Sequence, residues 1–123
     1  MKMHESGEMY LETILILSKK NNAVRSIDIV NYMNYSKPAV SRGIAKLKND
    51  KYILIDNDGF IALTENGRQI AEKIYERHLM LTNFLMHLGV DEETAITDAC
   101  KMEHDISDES LNAIKKHIEK INR

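Results

Sequence analysis

A single β-hairpin signal in an otherwise helical chain constrains this sequence most. Tyr52-Ile53-Leu54-Ile55 and Phe60-Ile61-Ala62-Leu63 are β-prone runs, and Asp56-Asn57-Asp58-Gly59 between them ends in the Asp-Gly pair of a tight turn. The periodic segments around this hairpin read as helices. Residues 8–20 carry Met9, Leu11, Ile14, Leu15 and Leu17 near helical spacing and break at Asn21-Asn22. Ser26 is predicted to cap a short helix over 27–33. Pro38 fits an early helical turn, where its missing N–H is not needed. After it Val40, Ile44 and Leu47 recur at i, i+4 and i+7. Beyond the hairpin, Thr64 caps a long helix to about His87, with Gly67 a mild defect in its first turn. Gly89 ends that helix, Asp91 caps the next, and Ser107 begins a last one with Leu111, Ile114, Ile118 and Ile121 along one side. Helix–helix–helix–hairpin–long helix is the order of a winged helix-turn-helix. The expected fold is mainly α: a winged helix-turn-helix over 1–70, then a helical unit over 71–123.

The bulk properties exclude several classes. With 123 residues, 29% charged and 43% hydrophobic, the chain has the balance of an ordinary globular protein. No stretch of 18 apolar residues exists, so no membrane span is expected. The first residues lack an apolar export signal, and the lone cysteine, Cys100, suits a reducing compartment, so a cytoplasmic location is expected.

Net charge is −2, but its distribution is uneven. Residues 36–51 hold five basic groups (Lys37, Arg42, Lys46, Lys48, Lys51) against Asp50 alone, while residues 91–109 hold eight acids against Lys101 alone. Such asymmetry points to one polyanionic and one cationic partner. The basic segment is the candidate reader of double-stranded DNA. Ser36, Lys37, Pro38, Ala39, Ser41 and Arg42 occupy the N-terminal half of the third helix, the half that usually faces base edges, and Lys46 lies a turn further on. Serine hydroxyls and lysines suit phosphate, and an arginine can bond guanine with two parallel hydrogen bonds. The hairpin tip carries aspartates, which makes it a poor phosphate clamp.

The acidic segment contains Cys100-Lys101-Met102-Glu103-His104. On a helix, a thiol, a carboxylate and an imidazole at i, i+3 and i+4 project from one face. Further donors must come from elsewhere: Glu8, Met9 and Glu12 in the first helix, with Met9 and Glu12 on one face, and His78 in the long helix. Catalytic readings find no support, because the chain has no oxyanion-hole signature, phosphate loop or second polar cluster to orient a base. A structural zinc site would want more cysteines. No enzyme is expected.

Five segments together resemble one family. Glu8-Met9-Tyr10-Leu11-Glu12-Thr13-Ile14, Ser36-Lys37-Pro38-Ala39-Val40-Ser41, Leu63-Thr64-Glu65-Asn66-Gly67-Arg68, Arg77-His78 and Asp98-Ala99-Cys100-Lys101-Met102-Glu103-His104 resemble the diphtheria-toxin-repressor family of iron- and manganese-dependent bacterial repressors. The resemblance implies a homodimer, an N-terminal winged helix that binds a pseudo-palindromic operator, and a C-terminal helical half that binds divalent metal. It also implies a short form, similar to the manganese transport regulators, without the SH3-like domain of longer relatives. Met9, Cys100, Glu103 and His104 match the main site of the iron-responsive branch. Glu12 matches a ligand of the manganese branch, and His78 has an equivalent in both. Where the ancillary site of the iron branch needs a carboxylate and a histidine, this chain has Thr82 and Ile96. Lys37 and Arg42 depart from the family's usual recognition residues.

Together these readings imply a repressor of metal-homeostasis genes that Fe²⁺ or Mn²⁺ switches on. The ion would link the first helix to the dimerisation helices and favour the operator-binding state. Thiolate and thioether ligands favour Fe²⁺, while Glu12 and His78 suit a harder ion. Three alternatives stay open: a metal-independent winged-helix regulator that senses through the Cys100 thiol, a metal carrier on a winged-helix scaffold and, more distantly, an enzyme.

Overall fold

The structure, a computed structural model, describes residues 5–121, with side chains from Gly7 onward. In chain order it has α1 (Glu5–Lys20), α2 (Ser26–Met33), α3 (Lys37–Asn49), β1 (Ile53–Ile55), β2 (Ile61–Leu63), α4 (Glu65–His87), α5 (Glu92–Asp105) and α6 (Asp108–Ile121). It divides into two compact units, Met1–Lys73 and Ile74–Arg123. The described residues include no helix long and apolar enough to cross a membrane.

In the first unit, α1 buries Tyr10, Leu11, Ile14, Leu15 and Leu17, and α2 and α3 pack against it. The i, i+4, i+7 stripe of α3 is inside as its periodicity predicts, with Val40, Ile44 and Leu47 all buried. Ser36 caps α3, its hydroxyl oxygen accepting from the Ala39 N–H at 3.2 Å, and Pro38 sits in the first turn. A cap of this kind is worth about 1 kcal/mol. The cap of α2 differs from the sequence expectation. Ser26 is already helical and Arg25 is the cap residue; the Asp28 carboxylate accepts from the Arg25 N–H at 2.9 Å. An acid three residues into the helix thus satisfies the start of α2 from inside.

The strands pair antiparallel, Ile53 with Leu63 and Ile55 with Ile61, and Val24 adds an isolated antiparallel bridge to Ile61. The Asp56 carboxylate closes the turn by accepting from the N–H groups of Asp58 and Phe60, both at 2.9 Å, and Gly59 takes a positive φ of 87°. Thr64 caps α4 as expected, accepting from the Gly67 N–H at 3.1 Å. Gly67 is no defect. A Cβ there would lie 2.0 Å from the Tyr52 carbonyl oxygen, so only glycine lets the helix start press against the chain entering the hairpin.

In the second unit, Leu81, Ala99 and Leu111 form a core with Met80, Met102, Ile106 and Ile114 against it, one contribution from each of α4, α5 and α6. Helix α4 ends with Gly89 at φ 102° and the Val90 N–H donating to the Leu85 carbonyl. Asp91 caps α5, accepting from the Thr94 N–H at 3.0 Å and the Thr94 hydroxyl at 2.8 Å. The backbone bond from Thr94, with the hydroxyl bond second, holds the Asp91 carboxyl below the usual carboxylate range. Ser107 caps α6 through the Ser110 N–H at 3.1 Å.

Candidate metal centre and nucleic-acid interface

The inner stripe of α5 is Ala95, Ala99 and Glu103, spaced by four residues, and all three are buried. The first two are small and apolar. The third is a carboxylate at only 1% exposure, where an amphipathic helix would ordinarily place an aliphatic side chain. Burying a carboxylate is costly unless cations or donors surround it. Two imidazoles flank it here. His78 of α4 places Nδ1 3.1 Å from Glu103 Oε2, and His104 places Nε2 3.3 Å from Glu103 Oε1. Cys100 is half-buried one turn earlier. Ligand atoms of Cys100, Glu103 and His104 all lie within 4.8 Å of one another. Two donors of one ion can stand no further apart than twice a bond of about 2.0–2.3 Å. Donor atoms grouped this closely suit a divalent transition ion, with thiol, carboxylate and imidazole as its ligands.

Arg77, beside His78, holds this arrangement from outside. Its Nη1 donates to the Glu103 carbonyl at 3.4 Å, and its Nη2 pairs with the Asp108 carboxylate at the start of α6. One planar guanidinium therefore ties α4 to the end of α5 and to the beginning of α6. Thr82, buried, and Ile96, exposed, supply neither carboxylate nor imidazole.

Met9 and Glu12 belong to the first unit. Both lie on α1, Met9 half-buried and Glu12 buried at 7% exposure. A carboxylate that deep, on a helix that also buries Leu11, Ile14 and Leu15, is the same anomaly as Glu103.

The DNA candidates gather on one side of α3. Ser36, Lys37, Pro38, Ser41, Arg42 and Lys46 are exposed, whereas Ala39 is half-buried and its carbonyl accepts from the Tyr10 hydroxyl at 3.4 Å. The hairpin has a cation that its own sequence lacks. The Arg25 guanidinium lies 4.3 Å from the centre of the Phe60 ring, beside β2. No spacing rule finds Arg25, because its partner is 35 residues away and the Val24–Ile61 bridge brings them together. Arg77 had one signal, its place next to His78.

In the second unit, Met80, Asn83, Phe84 and His87 of α4 and Ile118 and Ile121 of α6 line an open groove of about 410 Å³. Phe84 meets the His117 ring edge to face at 6.3 Å.

Comparison with known proteins matches the two halves of the chain to two family models. Residues 2–59 match the iron dependent repressor N-terminal DNA binding domain, and residues 64–123 match the iron dependent repressor metal binding and dimerisation domain. An uncharacterized HTH-type transcriptional regulator of Methanocaldococcus jannaschii is 38% identical over 120 residues, 96% of each chain. The HTH-type transcriptional regulator MntR of Bacillus velezensis is 31% identical over 109 residues, 89% of this chain and 77% of that one. Among solved structures, that of the manganese regulator SloR superposes with a TM-score of 0.82 at 30% identity, covering 95% of this chain. The chain spans 55% of the length of that structure.

Proposed function

The chain belongs to the iron-dependent repressor family, the diphtheria-toxin-repressor group that its motifs resemble, and on that premise we propose a metal-switched reader of operator DNA. The observation that carries this reading is Glu103: a buried carboxylate between two imidazoles, on the same helix as a half-buried thiol. A metal-independent regulator sensing through Cys100 does not fit, because the matched C-terminal domain is a metal-binding one.

The proposed ligands are His78, Cys100, Glu103 and His104, together with Met9 and Glu12, assigned on the chemistry of their side chains and on the family motifs. The ion is Fe²⁺ or Mn²⁺. Sulfur donors favour the former, carboxylates the latter, so cellular availability does part of the selecting. When bound, the ion neutralises carboxylates whose burial is otherwise unfavourable and thereby selects one conformation of the chain.

On the DNA side, Ser36, Lys37, Pro38, Ser41 and Arg42 take the base-facing turns of α3, with Ala39 supporting them and Lys46 on phosphate. Arg25 supplies the hairpin with a phosphate contact in place of its acidic tip. A second copy of the chain covers the apolar groove between α4 and α6. The homodimer then presents two α3 helices to a pseudo-palindromic operator, about 34 Å apart. Sedimentation of the metal-loaded protein at monomer mass would remove this part.

Titrating Fe²⁺ or Mn²⁺ into a gel shift on the promoter upstream of the protein's own gene tests the reading. A coupling of about 1–3 kcal/mol corresponds to roughly 5- to 150-fold tighter binding. Equal affinity with chelator present overturns it.

A further inference from the structure

We propose that Tyr10 is the positioning residue through which the placement of α1 sets the placement of the recognition helix α3; this rests on the metal-switched reading above. Tyr10 lies one residue beyond Met9, and its ring is buried at 5% exposure. It touches three positions spaced by four residues along the lead-in and body of α3. The ring meets Tyr35 edge to face at 6.2 Å, and the hydroxyl donates to the Ala39 carbonyl at 3.4 Å. At Gly43 the approach is so close that an added Cβ would lie 2.3 Å from Tyr10 Cε2. The third contact decides the case. Glycine is a poor helix former, costing stability in a helix interior, yet Gly43 sits in the middle of α3. Its place there is explained by the ring that fills the space of a side chain.

The geometry makes the contact directional. Residues 9 and 10 are separated by about 100° around α1, so Met9 and Glu12 share one face while Tyr10 points from the next. Whatever holds Met9 and Glu12 fixes the rotation of α1, and with it the ring lying along Tyr35, Ala39 and Gly43. Those residues interleave with the DNA-facing ones: Ser36, Ser41 and Arg42 are exposed on the other side of the same segment.

The test measures operator affinity with Mn²⁺ and with chelator, and takes the ratio, for the full chain and two variants. Gly43→Ala pushes the ring away from the α3 side, and Tyr10→Phe removes only the hydroxyl. Both are expected to bind Mn²⁺ within threefold of the unaltered chain by calorimetry. The affinity ratio is expected to fall at least fivefold in Gly43→Ala and two- to threefold in Tyr10→Phe. A merely structural role would weaken binding equally with and without metal. An unchanged ratio in Gly43→Ala therefore overturns the proposal; if that variant does not fold, an unchanged ratio in Tyr10→Phe does so. A ratio of one in the unaltered chain, with Fe²⁺ as well as Mn²⁺, overturns the metal-switched reading itself.

Discussion

Glu103 Oε2 of α5 and His78 Nδ1 of α4 stand 3.1 Å apart in the interior of the second unit, and the Glu103 side chain is wholly shielded from water. Two residues 25 apart in sequence are thus held as a preformed acid–imidazole pair.

That pair makes Glu103→Gln the sharpest test of the metal centre. The amide keeps the shape and removes the charge. Even residues that only orient ligands commonly change metal affinity by about 10–100-fold. Loss of a ligand is expected to exceed about 100-fold, read by calorimetric titration with Mn²⁺. Unaltered affinity would exclude Glu103 from the site.

Arg77 touches no proposed ligand atom but grips the Glu103 carbonyl and the Asp108 carboxylate. Arg77→Ala is expected to weaken Mn²⁺ binding by about 10–100-fold with all ligands present. Arg77→Lys should not restore it, because an ammonium group lacks the planar fork that reaches both partners. Full rescue by lysine would reduce Arg77 to a simple charge.

Arg42 is exposed on α3, a helix of the first unit. Arg42→Ala is expected to leave Mn²⁺ affinity unchanged. If the guanidinium reads a guanine edge, the loss is about 1–3 kcal/mol and concentrates at one operator position. If it holds phosphate, the slope of log affinity against log salt shrinks by about one instead. Filter binding over a salt series, with single-base operator variants, separates the two. An unchanged affinity and slope would remove Arg42 from the interface.

Gly67→Ala should destabilise the chain by about 1–3 kcal/mol, the usual cost of overpacking, because the new methyl meets backbone rather than a flexible side chain. Urea unfolding gives the number. A midpoint equal to that of the unaltered chain would mean that the Tyr52 carbonyl is not where the structure places it.

The sequence carried the elements well where a local rule governs them. The stripe Val40, Ile44, Leu47, the caps at Thr64 and Asp91, the start of the last helix at Ser107 and the stop at Gly89 each depend on neighbours within a few residues. The thiol, carboxylate and imidazole of α5 were visible for the same reason, because they fall within one turn. What stayed hidden needs two distant segments. The sequence marks Gly67 as a weak helix residue, and only the Tyr52 carbonyl shows why glycine is required there. Gly43 likewise has no meaning until the Tyr10 ring is seen against it. One local rule also misled: Ser26 carries the cap chemistry, yet the Asp28 bond to Arg25, three residues away, starts α2 one residue earlier.

The pairing of Val24 with Ile61 has an outcome for the hairpin that its own residues do not reveal. Neighbouring residues on an extended strand project to opposite sides, so the alignment of this one pair decides on which side the following arginine emerges. Displacement by a single position would turn Arg25 away from Phe60 and strip the hairpin of its borrowed positive charge. The most cationic point of a loop tipped with aspartates is therefore written not in the loop but in the step that leads from α1 to α2.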